Sequence, residues 1–222
     1  MPLYSFLQAD GTYFSTNDSS ERSVKQINKE GGVMETLDRK KEILNVCLNL
    51  FIEKGLSKTS TRDLSSAMKM QSSGMYYYFN SKDELVIACA EEATQRIENA
   101  LIEAAIETVK TPELMMQQLQ TKAIEMAPTM NFFVSVCSDK RYEELIKPVL
   151  QKVGKRYEDY CKRFSNILDC RLEEITPYVH MCIIAISNFM IFKEASFVTP
   201  QIKAVQLKLE KIVAGKTIVS TK

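Results

Sequence analysis

An all-α fold is predicted by three features of the chain. Helix-breaking residues are scarce, with 7 Gly and 6 Pro among 222 residues, against 11 Met and a 45% apolar content. Apolar side chains recur at three- and four-residue spacing over long segments, the pattern of helices that each bury one face. Thr111-Pro112, Thr176-Pro177 and Thr199-Pro200 pair a capping residue with a proline suited to a first helical turn, and Pro128 is a further expected break.

Residues 1–33 are rich in Ser, Asn, Asp and Gly and lack apolar periodicity. They are expected to form a disordered arm, or to precede a true translation start at Met34, because Glu30-Gly31-Gly32 can be encoded by a purine-rich run resembling a ribosome-binding site. The first helix is expected over Asp38–Lys54, where Ile43, Cys47, Leu50 and Phe51 share a face and Gly55 supplies a stop. A short second helix opens at Ser60 or Thr61 with Asp63 in its first turn, and Leu64, Ala67 and Met68 point inward. A third starts at Gln71, Ser72 and Ser73, with Met75 and Phe79 as inward anchors and small, polar and aromatic residues outside. Ser81 then caps a fourth helix, Glu84 completing a capping box, and the stripe from Leu85 to Ala104 extends it to about Val109.

Five further helices fit the remaining punctuation. Pro148 falls within the helical pattern from Lys140 to Leu168 and predicts a kink or two shorter helices. Tyr178 to Phe197 is apolar around much of its circumference, and Ile202, Val205, Leu209, Ile212 and Val213 form another stripe; both need a partner surface.

The composition narrows the chemistry. Net charge is +1, so attraction to a polyanion must come from charges placed locally. From Met34 to Lys82 basic residues exceed acidic ones by three. The six cysteines form no CxxC pair and His180 is the single histidine, which argues against a metal centre and for reduced thiols in a cytoplasm. The strongly apolar stretch Met181–Phe192 is shorter than the roughly 20 residues that span a bilayer, so no membrane helix is expected. There is no nucleophile elbow, phosphate-cradling glycine loop or two-histidine motif, and no cofactor or catalytic residue is assigned.

Thr61-Arg62-Asp63-Leu64, Ala67 and the run Ser73-Gly74-Met75-Tyr76-Tyr77-Tyr78-Phe79-Asn80-Ser81-Lys82-Asp83-Glu84-Leu85 resemble the tetracycline-repressor (TetR) family. The resemblance implies a helix-turn-helix DNA-binding domain over 34–82 and a helical ligand-binding and dimerisation domain over 83–222, joined by the long fourth helix. It implies phosphate contacts from Thr61, Arg62, Tyr76, Tyr78 and Lys82, and base or groove contacts from Gln71, Ser72, Gly74 and Tyr77. The chain departs from the family pattern at Lys69, where a turn glycine is common, at Gln71, where a capping serine is common, and at Ser73-Gly74, where glycine usually comes first.

The same resemblance implies a homodimer through the last two helices, addressing a near-palindromic double-stranded DNA operator. A small apolar or amphipathic effector is expected to release the repressor, and Met115, Met126, Phe132, Phe133, Tyr157, Tyr160 and Phe164 are candidate pocket residues. Two alternatives stand beside this reading. One is a thiol-responsive regulator using Cys137, Cys161, Cys170 or Cys182; the other is a helical enzyme built on His180 or carboxylates such as Glu173-Glu174.

Overall fold

The computed structural model describes the backbone of residues 27–219 and the side chains of 38–215 apart from Ser72 and Phe197. What was expected of residues 1–26 lies outside the described residues. The chain divides into two compact units, Met1–Asp38 and Arg39–Lys222; the first is described only by helical backbone from Ile27.

Among the described residues there are eight α-helices and no strand: α1 Ile27–Lys54, α2 Thr61–Ala67, α3 Ser72–Tyr78, α4 Lys82–Thr108, α5 Pro112–Ser138, α6 Lys147–Leu168, α7 Leu172–Phe192 and α8 Thr199–Val219. Short 3-10 turns at Lys140–Tyr142 and Ala195–Phe197 precede α6 and α8. The helical assignment of α1 starts at Ile27 rather than near Asp38, so 27–33 has helical backbone where composition suggested none. No proline interrupts Ile27–Lys54, and once a helix is nucleated each added residue gains a backbone hydrogen bond.

Three prolines behave differently from expectation or resolve a choice it left open. Pro128 does not end a helix but lies inside α5. It is exposed, so water can serve the Ile124 carbonyl, which has no N–H from residue 128 to accept. α7 begins at Leu172, not at Thr176, and carries Pro177 on its exposed side. The stretch around Pro148 is two pieces: the 3-10 turn, then α6 with the proline in its first turn, where a missing N–H costs nothing. Four α-helices follow α4 rather than five.

α7 is, by length and composition, long and apolar enough to cross a membrane, a property missed when only Met181–Phe192 was weighed. In this structure Ile175, Val179, Ile186 and Met190 of α7 pack into the interior, while Phe192 at its end remains 65% exposed.

The apolar interior of 39–222 forms two clusters. The first gathers Ile43, Cys47, Leu48 and Phe51 of α1, Leu64 of α2, Met75 of α3 and Leu85 to Ala93 of α4. It is completed from further along the chain by Phe132 and Val136 of α5, Tyr142, and Ile146 and Val149 flanking the start of α6. Phe51 and Phe132 stack with ring centroids 5.5 Å apart. The second cluster holds Ile97, Ile102 and Ala105 of α4 with residues of α5 to α8, including Met115, Phe164, Val179 and Val205. The helix-turn-helix core is thus closed by α5 and the α5–α6 connection, across the boundary expected at 82/83.

Truncating Phe132 opens a cavity beneath α1. Phe132→Ala is expected to lower unfolding stability by about 3–5 kcal/mol, read from urea denaturation, with α1–α3 and the C-terminal helices lost in one transition. A loss under about 1 kcal/mol, or separate transitions for the two regions, would contradict the shared core.

Candidate nucleic-acid interface

The geometry of α2 and α3 is set by local caps. Gly55, at φ 88°, ends α1, and its N–H donates to the Phe51 carbonyl at 2.9 Å. Thr59, buried, donates its hydroxyl to the Gly55 carbonyl at 2.8 Å. Ser60 caps α2 in a full capping box: Asp63 N–H donates to Ser60 Oγ at 3.2 Å, and Ser60 N–H donates to Asp63 Oδ2 at 2.9 Å. Lys54 Nζ, at the end of α1, reaches Asp63 Oδ1 at 2.7 Å. The Lys54 bond, with those from Ser60, holds the Asp63 carboxyl well below the usual carboxylate range.

The turn between α2 and α3 places Lys69 at φ 52°, the left-handed conformation for which glycine is the low-cost residue. A Cβ on Gly74 would lie 3.4 Å from Met70 Sδ, close to ordinary contact, so space alone does not demand glycine there. Met75 and Phe79 are buried, as expected, and fix the opposite face of α3 outward. That face carries Gln71, exposed, Gly74, half-buried, and Tyr76 and Tyr77, 49% and 77% exposed. The side chain of Ser72 lies outside the described residues.

Tyr78 is half-buried against the first core cluster and meets Tyr77 edge-to-face at 5.0 Å. Lys82 donates from Nζ to the Thr59 carbonyl, tying the start of α4 to the start of α2. Ser81 caps α4 by accepting from Glu84 N–H at 3.0 Å, but the return bond from Glu84 goes one residue earlier than expected, accepting from Asn80 N–H at 2.9 Å. Thr61 begins α2 and Arg62 is exposed beside it.

The cations of this unit separate into two groups. Arg39 pairs with Glu42, Lys54 with Asp63, and Lys40 lies 4.9 Å over the Phe79 ring. Arg62, Lys58 and Lys69 are exposed and make no ion pair among the described residues. Lys58 and Lys69 were not among the candidate contacts, although Lys69 was noted as a departure in the turn; their position in the two turns flanking α2 was the available signal.

The seven candidate pocket residues divide between the two clusters. Phe132 and Phe133 pack with the first cluster, whereas Met115, Met126, Tyr157, Tyr160 and Phe164 pack with the second. Two open clefts, of about 310 and 580 Å³, are lined by none of the seven. Tyr157 lies edge-on to His180 with centroids 5.6 Å apart, which gives that histidine a packed, structural setting. No group of metal-ligating side chains occurs among the described residues. Burial pushes Cys137 up to about 11 and Cys47 and Cys182 up to about 12, so these thiols are protonated and poorly nucleophilic at neutral pH.

The two short helices α2 and α3, anchored on α1 and α4 with a polar and aromatic face of α3 turned outward, have the arrangement of a helix-turn-helix unit. The profile of bacterial regulatory proteins, tetR family, matches residues 43–89. The transcriptional repressor KstR2 of Rhodococcus jostii (strain RHA1) is 38% identical over 48 residues, which are 22% of this chain and 24% of that protein. The match spans about a quarter of that relative's length. A crystal structure of a proposed transcriptional regulator from Rhodococcus sp. RHA1 has the same fold, with a TM-score of 0.56 and 19% identity over 80% of this chain and 98% of that one. Residues 43–89 thus resemble the N-terminal segment of the tetR family of bacterial regulatory proteins, and the fold is shared with the Rhodococcus sp. structure.

Because the folded-state pKa of Asp63 is depressed, its stabilising contribution is present above its ordinary value of 3.8 and is lost as pH falls below it. Asp63→Asn is expected to be less stable than the parent at pH 7 and to lose less stability between pH 4 and pH 2, measured by thermal denaturation. Identical pH slopes for the two proteins would remove Asp63 from the account.

Proposed function

We propose that the chain is a transcriptional repressor that binds a near-palindromic operator as a homodimer and is released by a small apolar or amphipathic molecule. The observation that carries the reading is the outward face of α3, with Gln71, Gly74, Tyr76 and Tyr77, flanked by the unpaired cations Lys58, Arg62 and Lys69. Phosphate contacts fall to Thr61, Arg62 and Tyr76, with Lys58 and Lys69 added. Base or groove contacts fall to Gln71, Ser72, Gly74 and Tyr77. In place of Tyr78 and Lys82 as direct contacts, their bonds and packing support indirect roles in holding α3 and α4.

The dimer reading is supported by apolar surface on the last two helices. Phe192 closes α7 at 65% exposure and Leu207 of α8 is 49% exposed. An apolar face of this kind is stable in water when a second copy covers it. The modest charge excess of one helix-turn-helix unit also favours two linked copies, since linked sites raise effective affinity. Such a protein works in the cytoplasm, in contact with DNA.

Selection of bound duplexes from random DNA with the full chain is expected to yield two related half-sites about one helical turn apart. Recovery of no enriched sequence at low salt would defeat the reading. Arg62→Ala is expected to weaken binding to all sequences alike and to reduce the salt dependence of log K by about one unit of slope; a change confined to one base position would assign Arg62 to base readout instead. By light scattering at micromolar concentration the parent is expected to be a dimer and Leu207→Asp a monomer. A monomeric parent would overturn the dimer.

A further inference from the structure

Neither of two clefts among the described residues, of about 310 and 580 Å³, reaches the interior of the C-terminal helices. Met115 and Phe164 are buried, and Met126, Tyr157 and Tyr160 fill against the same cluster. Both clefts are bordered by charged side chains such as Glu103, Lys122, Arg171 and Lys211. A small molecule of ordinary size needs some 300–1,000 Å³ of concave space, so binding inside this region requires helices to part.

The joint between α4 and α6 is held by a polar cluster rather than by apolar packing alone. Glu98 of α4 is 15% exposed at its side chain, and three donors of α6 converge on its carboxylate. Arg156 Nε donates to Oε2, Arg156 Nη2 donates to Oε1 at 3.0 Å, and the Tyr160 hydroxyl donates to Oε2 at 2.8 Å. Arg156 Nη2 also donates to Thr94 Oγ1 at 3.0 Å. A fork of two guanidinium N–H groups with a phenol beside it is a receptor for one carboxylate. An ion pair so placed has two acceptable states, bonded when the helices are together and hydrated when they part, whereas removing one partner alone leaves a buried charge. A purely apolar joint would have no comparable open state.

We propose that Arg156 and Tyr160, with Thr94, form a carboxylate seat that Glu98 occupies as an intramolecular stand-in, and that an apolar molecule bearing one carboxylate displaces Glu98 and parts α6 from α4. The apolar body of the ligand enters between Leu101, Tyr157 and the second core cluster. α4 leads directly from this seat to the helix-turn-helix core through Ala93, Ala90 and Cys89, so displacement shifts the element that carries α3. The inference deepens the reading of the chain as a ligand-released regulator by naming the ligand's chemistry.

The test titrates the full chain with decanoate and with decanol, probes of equal apolar length, and follows binding by calorimetry. Glu98→Gln is expected to bind decanoate at least 10-fold more tightly than the parent, because Arg156 loses its internal carboxylate, with decanol binding unchanged. Arg156→Met is expected to lose the preference for decanoate. Each variant is checked for a cooperative melt; should Arg156→Met not fold, Arg156→Lys, which keeps the charge but not the fork, is added to Glu98→Gln, and this double variant is expected to bind decanoate several-fold more weakly than Glu98→Gln alone. Equal decanoate affinity in the parent and Glu98→Gln, or an equal gain for decanol, would show an ordinary structural ion pair and overturn the seat. The titrations need no DNA, so failure of the parent to bind DNA would defeat the proposed function and leave this result readable.

Discussion

The structure depends on α4 being buried in two cores at once. Its first half puts Leu85, Val86, Cys89, Ala90 and Ala93 into the core shared with α1–α3, and its second half puts Ile97, Ile102 and Ala105 into the core shared with α5–α8. Close-packed interiors do not deform smoothly, so a helix shared in this way moves as a rod or not at all. A change that displaces its second half is felt at its first turn, where Lys82 holds the Thr59 carbonyl and Ser81 caps the helix. This gives the C-terminal helices a physical route to α3.

Polar bonds fix the rod on two sides. Arg96 donates to Asn45 and Asn49 of α1 at 2.6 and 2.9 Å, and Lys152 of α6 meets Glu91 at 2.7 Å. Tyr160, half-buried and bonded to Glu98, has its hydroxyl pushed up to about 12 by burial, so it serves as a donor at any ordinary pH. Exposed pairs such as Lys152–Glu91 contribute little, typically under about 1 kcal/mol. The partly buried Glu98–Arg156 pair matters more for where α4 lies than for how stable the fold is.

Local signals in the chain were legible where the physics is local. The Ser60 cap with Asp63 in the first turn, the Gly55 stop, the Ser81 cap and the inward anchors Met75 and Phe79 all follow from spacing and side-chain chemistry within a few residues. Pro128 and Pro177 were misjudged because an exposed proline can sit within a helix when water serves the carbonyl it leaves. Phe132, Tyr142 and Val149 joining the helix-turn-helix core depends on contacts between distant segments, about which periodicity says nothing. For the same reason Phe132 and Phe133 were grouped with residues of a different cluster. Of the candidate DNA contacts, Tyr78 and Lys82 look alike to Tyr77 and Arg62 in sequence; only packing separates those facing outward from those engaged within the fold.

We propose that α2 and α3 meet DNA while α4 connects them to helices that answer a ligand. Amide hydrogen exchange of the full chain, with and without a selected duplex, tests it most directly. DNA is expected to slow exchange across residues 58–78 and at the start of α4, leaving the exposed ends of α5 unchanged. Unaltered exchange over 58–78 with saturating duplex, or protection confined to other helices, would contradict the account.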